Sequence, residues 1–465
     1  MKNVLEWLEA TVAKYPDKPA FSDTESSITF RQVYDIARNT GAYLVEQLGV
    51  DRTPVAVFAG RKMVTPAYFL GVVYAGRPYA PIDASLPDKR IEKILENLCP
   101  RAIVADRESR EHVESIVDEL AKAEGFDRPQ IFIAEDISHF EQVACADSNC
   151  KISESSGDAV TDSENDTDGG VVAGCAGKTD DSALEKLATV RRQMSMTDPL
   201  YIIYTSGSTG NPKGVMTSHL SLMTYINAYC DVMHIEESDV LGNQSPLDYI
   251  AAIRDIYLPL KTGCSTAIIP KEYFMEPNAL FDYMNDKKVS SVGWSVSAFT
   301  ILTSLGAFEE VGLKSLRKIC FSGSVMPCRV LRKWQENLPE AHFVNQYGPT
   351  EATASCTYYS VDHLVEEDEV LPIGKAYDNY RVFLIDEHGN DPAVGEQGEI
   401  CVCGPILALG YYNDPERTAA AFTLNPLNRA YPERMYRTGD YGRLDEAGIL
   451  HFCGRMDRQI KHMGH

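Results

Sequence analysis

An α/β fold of doubly wound units, followed by a small strand-rich unit, is what this sequence predicts, on three observations. Short apolar runs such as Val55-Ala56-Val57-Phe58 and Ala102-Ile103-Val104-Ala105 read as strands buried on both faces. Longer stretches of helical periodicity alternate with them, the pattern of crossover connections in a parallel sheet. Toward the end, from about residue 397, short strands and Gly turns replace that alternation.

Taken in order, Met1–Trp7 reads as an amphipathic helix. Thr29 is placed to cap a helix whose buried stripe is Val33, Ile36, Ala37 and Leu44. Pro54–Phe58 is a strand, Met63–Tyr74 a helix closed by Ala75-Gly76, Tyr79–Ile82 a strand, Pro87–Asn97 a helix, and Ala102–Ala105 a strand. Residues 135–190 break the pattern. Between Glu135 and Glu185 stand thirteen acidic residues against Lys151 and Lys178, a net charge of −11. Such a segment buries too little apolar surface to offset its ordering entropy, so a largely disordered acidic insertion is expected. Alternation resumes at Asp198 and runs to about Glu396. Residues 397–455 then form the small β-rich unit.

The 465 residues carry 44 basic and 67 acidic side chains, a net charge of −23. That excludes a protein held to nucleic acid or anionic lipid by bulk positive charge. No apolar run approaches the roughly 20 residues that span a bilayer, and no signal segment is evident. The 12 cysteines include no CxxC pair and do not join the histidines at zinc spacing. Reduced, mostly buried thiols and a cytoplasmic location are expected.

The strongest chemical signal is the run from Tyr201 to Val215. A strand, Leu200–Tyr204, leads into Thr205, Ser206, Gly207, Ser208, Thr209 and Gly210, then Asn211-Pro212-Lys213-Gly214. Glycines let a backbone approach a phosphate, hydroxyls donate to it, and a lysine adds charge. The spacing is not that of a Walker A loop. On composition alone, a flexible Gly/Ser surface loop is an equal reading; the strand and Pro212-Lys213-Gly214 tilt it toward phosphate.

Here the chain resembles the adenylate-forming superfamily of acyl-CoA synthetases, luciferases and amino-acid adenylation domains. The resemblance rests on Thr205–Gly214 and on four further segments in order: Tyr79–Asp83, Asn345–Thr353, Tyr436–Asp440 and Gly454–Lys461. Phe321–Pro327 and Gly348–Thr353 look most like D-alanine–carrier protein ligases and free-standing adenylation domains of nonribosomal peptide synthesis.

The resemblance implies a core of two doubly wound subdomains plus a β-barrel-like one over 1–455. Residues 456–465 would be a hinge, with Asp457 as pivot, opening a C-terminal lid whose catalytic lysine no residue here supplies. It implies ATP and Mg²⁺, activation of a carboxylic acid as acyl-AMP, and transfer to the phosphopantetheine thiol of a carrier protein, or to CoA. Thr205, Lys213, Thr350 and Glu351 would be catalytic, with Glu351 and Thr205 at the metal. Ser206–Gly210, Asn345, Tyr347, Gly348, Asp440 and Arg455 would hold nucleotide.

The residues allow the same roles. Tyr347 offers a face to adenine, Glu351 is a hard oxygen ligand, and Asp440 can accept two ribose hydroxyls. A plainer alternative makes Thr350 a helix N-cap and Asp440 an Asx turn.

The acid pocket departs from the family. Amino-acid-activating members carry an aspartate five residues before the acidic residue matched here by Asp255; that position holds Ile250, and Asp248 lies two earlier. Asp248 turned inward implies an amino acid. Ile250 in place implies a simple acid, because an unpaired buried ammonium is costly. The neighbouring motifs side with the amino acid. Tyr249, Trp294, Ser322 and Gly323 complete the candidate pocket, with core packing as the alternative for Trp294. Ser322 stands where D-alanine ligases carry cysteine. An inactive nucleotide-binding core is the reading from another class.

Overall fold

The computed structural model describes residues 2–139, 181–206 and 211–455. Most of the expected strands and helices form where the pattern put them. The helix after Thr29 spans Phe30–Leu48 and begins with a capping box: the Thr29 hydroxyl accepts from the Gln32 N–H while the Gln32 side chain accepts from the Thr29 N–H. Its Val33, Ile36, Ala37 and Leu44 are all buried. The first helix runs Leu5–Lys14, later than Met1–Trp7, because the apolar residues that bury it are Leu5, Trp7, Leu8 and Val12.

Two large sheets organise the described residues. In one, Gln130–Ile133, Ala102–Ala105, Val55–Phe58, Tyr79–Ile82 and Pro199–Ser206 run parallel, and Pro212–Ser218 and Gly410–Tyr411 add antiparallel strands. In the other, Pro19–Ser22, Ser265–Ile268, Val240–Asn243, Ser291–Ser295, Lys318–Ser322 and His342–Tyr347 run parallel. Ser27–Thr29 closes one edge, and Thr357–Ser360 then Lys375–Ala376 the other. One continuous core joins the sheets. It takes Val55, Val57 and Ile203 from the first, Phe21, Leu241 and Val344 from the second, and residues of helices Phe30–Leu48, Thr65–Tyr74 and His219–Met233 between them. The outer faces are covered as well, by helices Asp88–Leu98 and Arg110–Leu120 on the first sheet and by Pro277–Asp286, Val296–Ser304 and Cys328–Asn337 on the second. Helices on both faces of a parallel sheet are the doubly wound arrangement expected.

The third sheet contains Arg381–Ile385, Gln397–Cys403, Arg434–Leu444, Phe422–Leu424 and Leu450–Arg455. It starts near residue 381 rather than 397, because Arg381–Ile385 pairs along the whole of Glu399–Cys403. Its pairings among the described residues make an antiparallel sheet. The acidic insertion is also narrower than 135–190. Ala134–Ser138 and Asp181–Gln193 are helices, and the second anchors itself by burying Leu187 and Val190 and pairing Arg191 with Glu9 at 2.9 Å. The disorder expected of the segment between them, residues 140–180, lies outside the described residues.

Candidate active site

Parallel strands place functional groups at their carboxyl ends, and both large sheets do so here. Strand Pro199–Ser206 pairs with Pro212–Ser218 as a hairpin, with Thr205 opposite Lys213. The lysine thus stands on a strand, and its position is set by sheet register. Strand His342–Tyr347 ends at Tyr347, and a tight turn through Gly348-Pro349 leads into the 3₁₀ segment Thr350–Ala352. A Cβ on Gly348 would lie 2.5 Å from the Ser355 Cα, so only glycine fits this turn. Thr350 is not an N-cap: Pro349 occupies the cap position, and no side chain caps the turn.

These elements meet at a charge cluster. Lys213 Nζ lies 2.5 Å from Glu351 Oε1, and the Tyr411 hydroxyl donates to the same oxygen at 2.7 Å. The ammonium also sits 4.9 Å over the Tyr411 ring. Glu351 is 4% exposed. Burial pushes its carboxyl up, but Lys213 and Tyr411 more than offset this, and the group rests below the usual glutamate range. It is therefore an anion at neutral pH. The Thr205 hydroxyl is buried with no hydrogen-bond partner among the described residues.

A second cluster lies at the third sheet. The Tyr347 hydroxyl donates to Asp440 Oδ2 at 2.6 Å, and Arg455 Nε stands 3.6 Å from Asp440 Oδ1. Asp440 and Arg455 face each other across the Arg434–Leu444 and Leu450–Arg455 pairing. Behind them Glu399 accepts from Arg437 and from the Gly439 N–H, fixing the turn before Asp440. Burial and the Asp440 charge hold the Tyr347 phenol well above its ordinary value. Asn345 is turned away, its amide donating to the Pro372 carbonyl at 2.8 Å.

The acid-pocket candidates separate. Trp294 is fully buried, donates its indole N–H to the Gly242 carbonyl at 2.8 Å, and packs among Phe274, Phe299 and Trp334. It is a core residue, as its plainer reading allowed. Asp248 lines a small cleft with Arg61, Asp83, Val57, Phe69 and Pro81, at the seam with the first sheet. None of the other expected pocket residues lines it. Burial, then the Asp83 charge, pushes its carboxyl up to about 6. Ile250 is buried at the start of the 3₁₀ turn Ile250–Ala252, just after the half-buried Tyr249. Ser322 ends strand Lys318–Ser322, and Gly323 follows with a positive φ of 97°. Ser206 is exposed at its strand end. Gly207, Ser208, Thr209, Gly210 and Asp457 lie outside the described residues. Tyr411 had no signal in the sequence, because its contact with Glu351 spans sixty residues.

A model of the AMP-binding enzyme family matches residues 8–412, and the chain belongs to that family. It is an adenylate-forming ligase, in keeping with the resemblance of its motifs. Among relatives, the D-alanine--D-alanyl carrier protein ligase of Bacillus cereus (strain Q1) is 29% identical over 464 residues, 99% of this chain and 80% of that protein. The ligase of the same name from Bacillus thuringiensis (strain Al Hakam) is 30% identical over the same spans. Among solved structures, the nonribosomal peptide synthetase FmoA3 aligns with a TM-score of 0.76 at 23% identity, over 97% of this chain and 42% of that one. The Klebsiella oxytoca NpsA N-terminal subdomain, in complex with 3-hydroxyanthranilyl-AMSN, aligns at 0.74 and 18% over 98% and 100%. These two likenesses show the fold. Among the described residues no helix is long and apolar enough to cross a membrane.

Proposed function

We propose that this ligase activates a carboxylic acid with ATP and passes the acyl group to the phosphopantetheine thiol of a carrier protein. The supporting observation is the Lys213–Glu351–Tyr411 cluster at the sheet ends. In the first step an acid oxygen forms a bond to the α-phosphorus. The α–β phosphoanhydride bond breaks, and pyrophosphate leaves with its electron pair. In the second a thiolate attacks the acyl carbon and AMP departs. The acid is already an anion, so the protein supplies position and charge rather than a strong base.

In this reading Lys213 moves from Glu351 onto phosphate oxygens, and Thr205 and Thr350 donate to phosphate. The loop Gly207–Gly210, with Ser206, cradles the triphosphate. Tyr347 and Gly348 form the adenine wall, and Asp440 with Arg455 takes the ribose. The Glu351 anion and the Thr205 hydroxyl are hard oxygen donors that would fit Mg²⁺. Bound there, the metal would neutralise phosphate charge.

Residues 1–455 would be the large catalytic core and 456–465 a hinge, pivoting at Asp457, to a lid that brings the acid-binding lysine. The relatives' ligase names support an amino acid as substrate. The placement of Asp248 beside Arg61 and Asp83 favours a second reading, a simple acid with Ile250 at the wall. Pyrophosphate–ATP exchange across amino acids and simple acids tests both. Exchange driven by some acid supports the reading, and silence across the panel removes it.

A further inference from the structure

Residues 404–412 tie three parts of the molecule to the charge cluster. They leave strand Gln397–Cys403 of the third sheet and end in Gly410–Tyr411, an edge strand of the first. Tyr411 lies opposite Val215, two residues beyond Lys213. The N–H groups of Leu409 and Tyr412 donate to the carbonyls of Met216 and Gly214, at 2.7 and 2.8 Å. The Ala408 N–H donates to the Glu351 carbonyl at 2.8 Å, and Arg434 donates to the carbonyls of Ala408 and Leu409, each at 2.8 Å. The Tyr411 N–H donates to Thr418 Oγ1 at 2.9 Å. Bonds on both sides fix the backbone from which the Tyr411 side chain starts. Its ring is buried and packs on Phe422, with centroids 5.8 Å apart.

That ring carries its hydroxyl into the cluster. Lys213 Nζ and the Tyr411 hydroxyl converge on the same oxygen, Glu351 Oε1, and stand 3.3 Å from each other. The two donors differ in freedom. Lys213 is partly exposed and sits at the end of a flexible four-carbon stem. Tyr411 is a rigid ring held by packing and by its own backbone.

The difference matters once Lys213 turns to phosphate. Glu351, almost fully buried, would then lose its cation. A buried carboxylate without a partner is costly, and that cost would oppose the lysine's departure. The phenol stays behind. It is protonated at neutral pH, and a hydroxyl donating to a carboxylate makes a short, charge-assisted bond.

We infer that Tyr411 is a positioning residue: it holds the Glu351 carboxylate while Lys213 is engaged with nucleotide, and so lets the lysine leave. The inference rests on the adenylation reading and deepens it, by assigning the group that makes Lys213 free to move.

The test is nucleotide binding by the full chain, read by calorimetry with α,β-methylene-ATP, once with Mg²⁺ and once with chelator and no metal. The wild type should bind both forms. In Tyr411→Phe, which deletes one hydroxyl and keeps the ring, metal-free affinity should fall by at least about 10-fold. Affinity with Mg²⁺ should fall by less than about 3-fold, because Glu351 then has a cation again. In a Glu351→Gln background the same deletion should change metal-free affinity by less than about 3-fold, since no buried anion is left to hold. A melting transition reports whether Tyr411→Phe is folded. If it is not, Tyr411→Met makes the same deletion with a flexible side chain. Equal losses with and without Mg²⁺ would mark a merely structural tyrosine and overturn the inference. So would no loss in either, a loss that persists beside Glu351→Gln, or a wild type that binds nucleotide only with Mg²⁺; each leaves adenylation standing. If the wild type binds neither form, the adenylation reading falls and the inference with it.

Discussion

The end proposed to hold phosphate and the end proposed to hold the acid are built differently. At the phosphate end, Lys213 sits on a strand in register with Thr205, and Glu351 follows a turn that only Gly348 permits. Opposite charges there lie 2.5 Å apart and balance. At the acid end, Asp248 shares a small cleft with Asp83 and Arg61, and burial together with the Asp83 charge pushes its carboxyl up to about 6. The first region is fixed by backbone and is complete in itself. The second brings two carboxylates into one cleft, so its charges repel where those of the first attract.

Three substitutions would break or sharpen that contrast. The largest effect is expected from Glu351→Gln, which removes an anion from a buried, charge-balanced cluster. Exchange activity should fall by on the order of 10²-fold or more, and its Mg²⁺ dependence should weaken; initial rates against Mg²⁺ concentration would show it. Next is Asp440→Ala. It releases Tyr347 and Arg455 together, and the KM for ATP should rise by about 10-fold with kcat less affected, a loss of about 1.5 kcal/mol.

An effect of opposite sign, on stability and not on turnover, belongs to Asp248→Asn at the seam. The folded pKa of Asp248, about 6, stands above its ordinary 3.8, so the folded state holds this proton more tightly than the unfolded. Its ionisation therefore destabilises the fold fully above about pH 6, and the penalty fades as pH falls toward 4. Asp248→Asn should gain about 1–3 kcal/mol at pH 8 and almost nothing at pH 4, read from denaturant unfolding at both.

Much of the phosphate end was legible because short motifs bring their own geometry. Thr29 read as the cap of its helix, and the run ahead of Lys213 read as a strand. The acid end was not legible, because its cleft joins Asp248 to Arg61 and Asp83, residues far apart in the sequence on different elements. Trp294 looks like a pocket residue at a strand end until the Gly242 carbonyl is seen to take its N–H. Asn345 sits inside a motif yet turns its amide to Pro372, which no spacing announces. The β-rich unit was placed too late because Arg381–Ile385 carries no glycine punctuation and is recruited only by pairing.

The central claim is that Lys213 leaves Glu351 for the phosphates of ATP during acid activation. Pyrophosphate–ATP exchange, with and without acid, in the wild type and in Lys213→Ala, tests it most directly. The account predicts acid-dependent exchange in the wild type and a loss on the order of 10²-fold or more in the variant. Undiminished exchange in Lys213→Ala would contradict it.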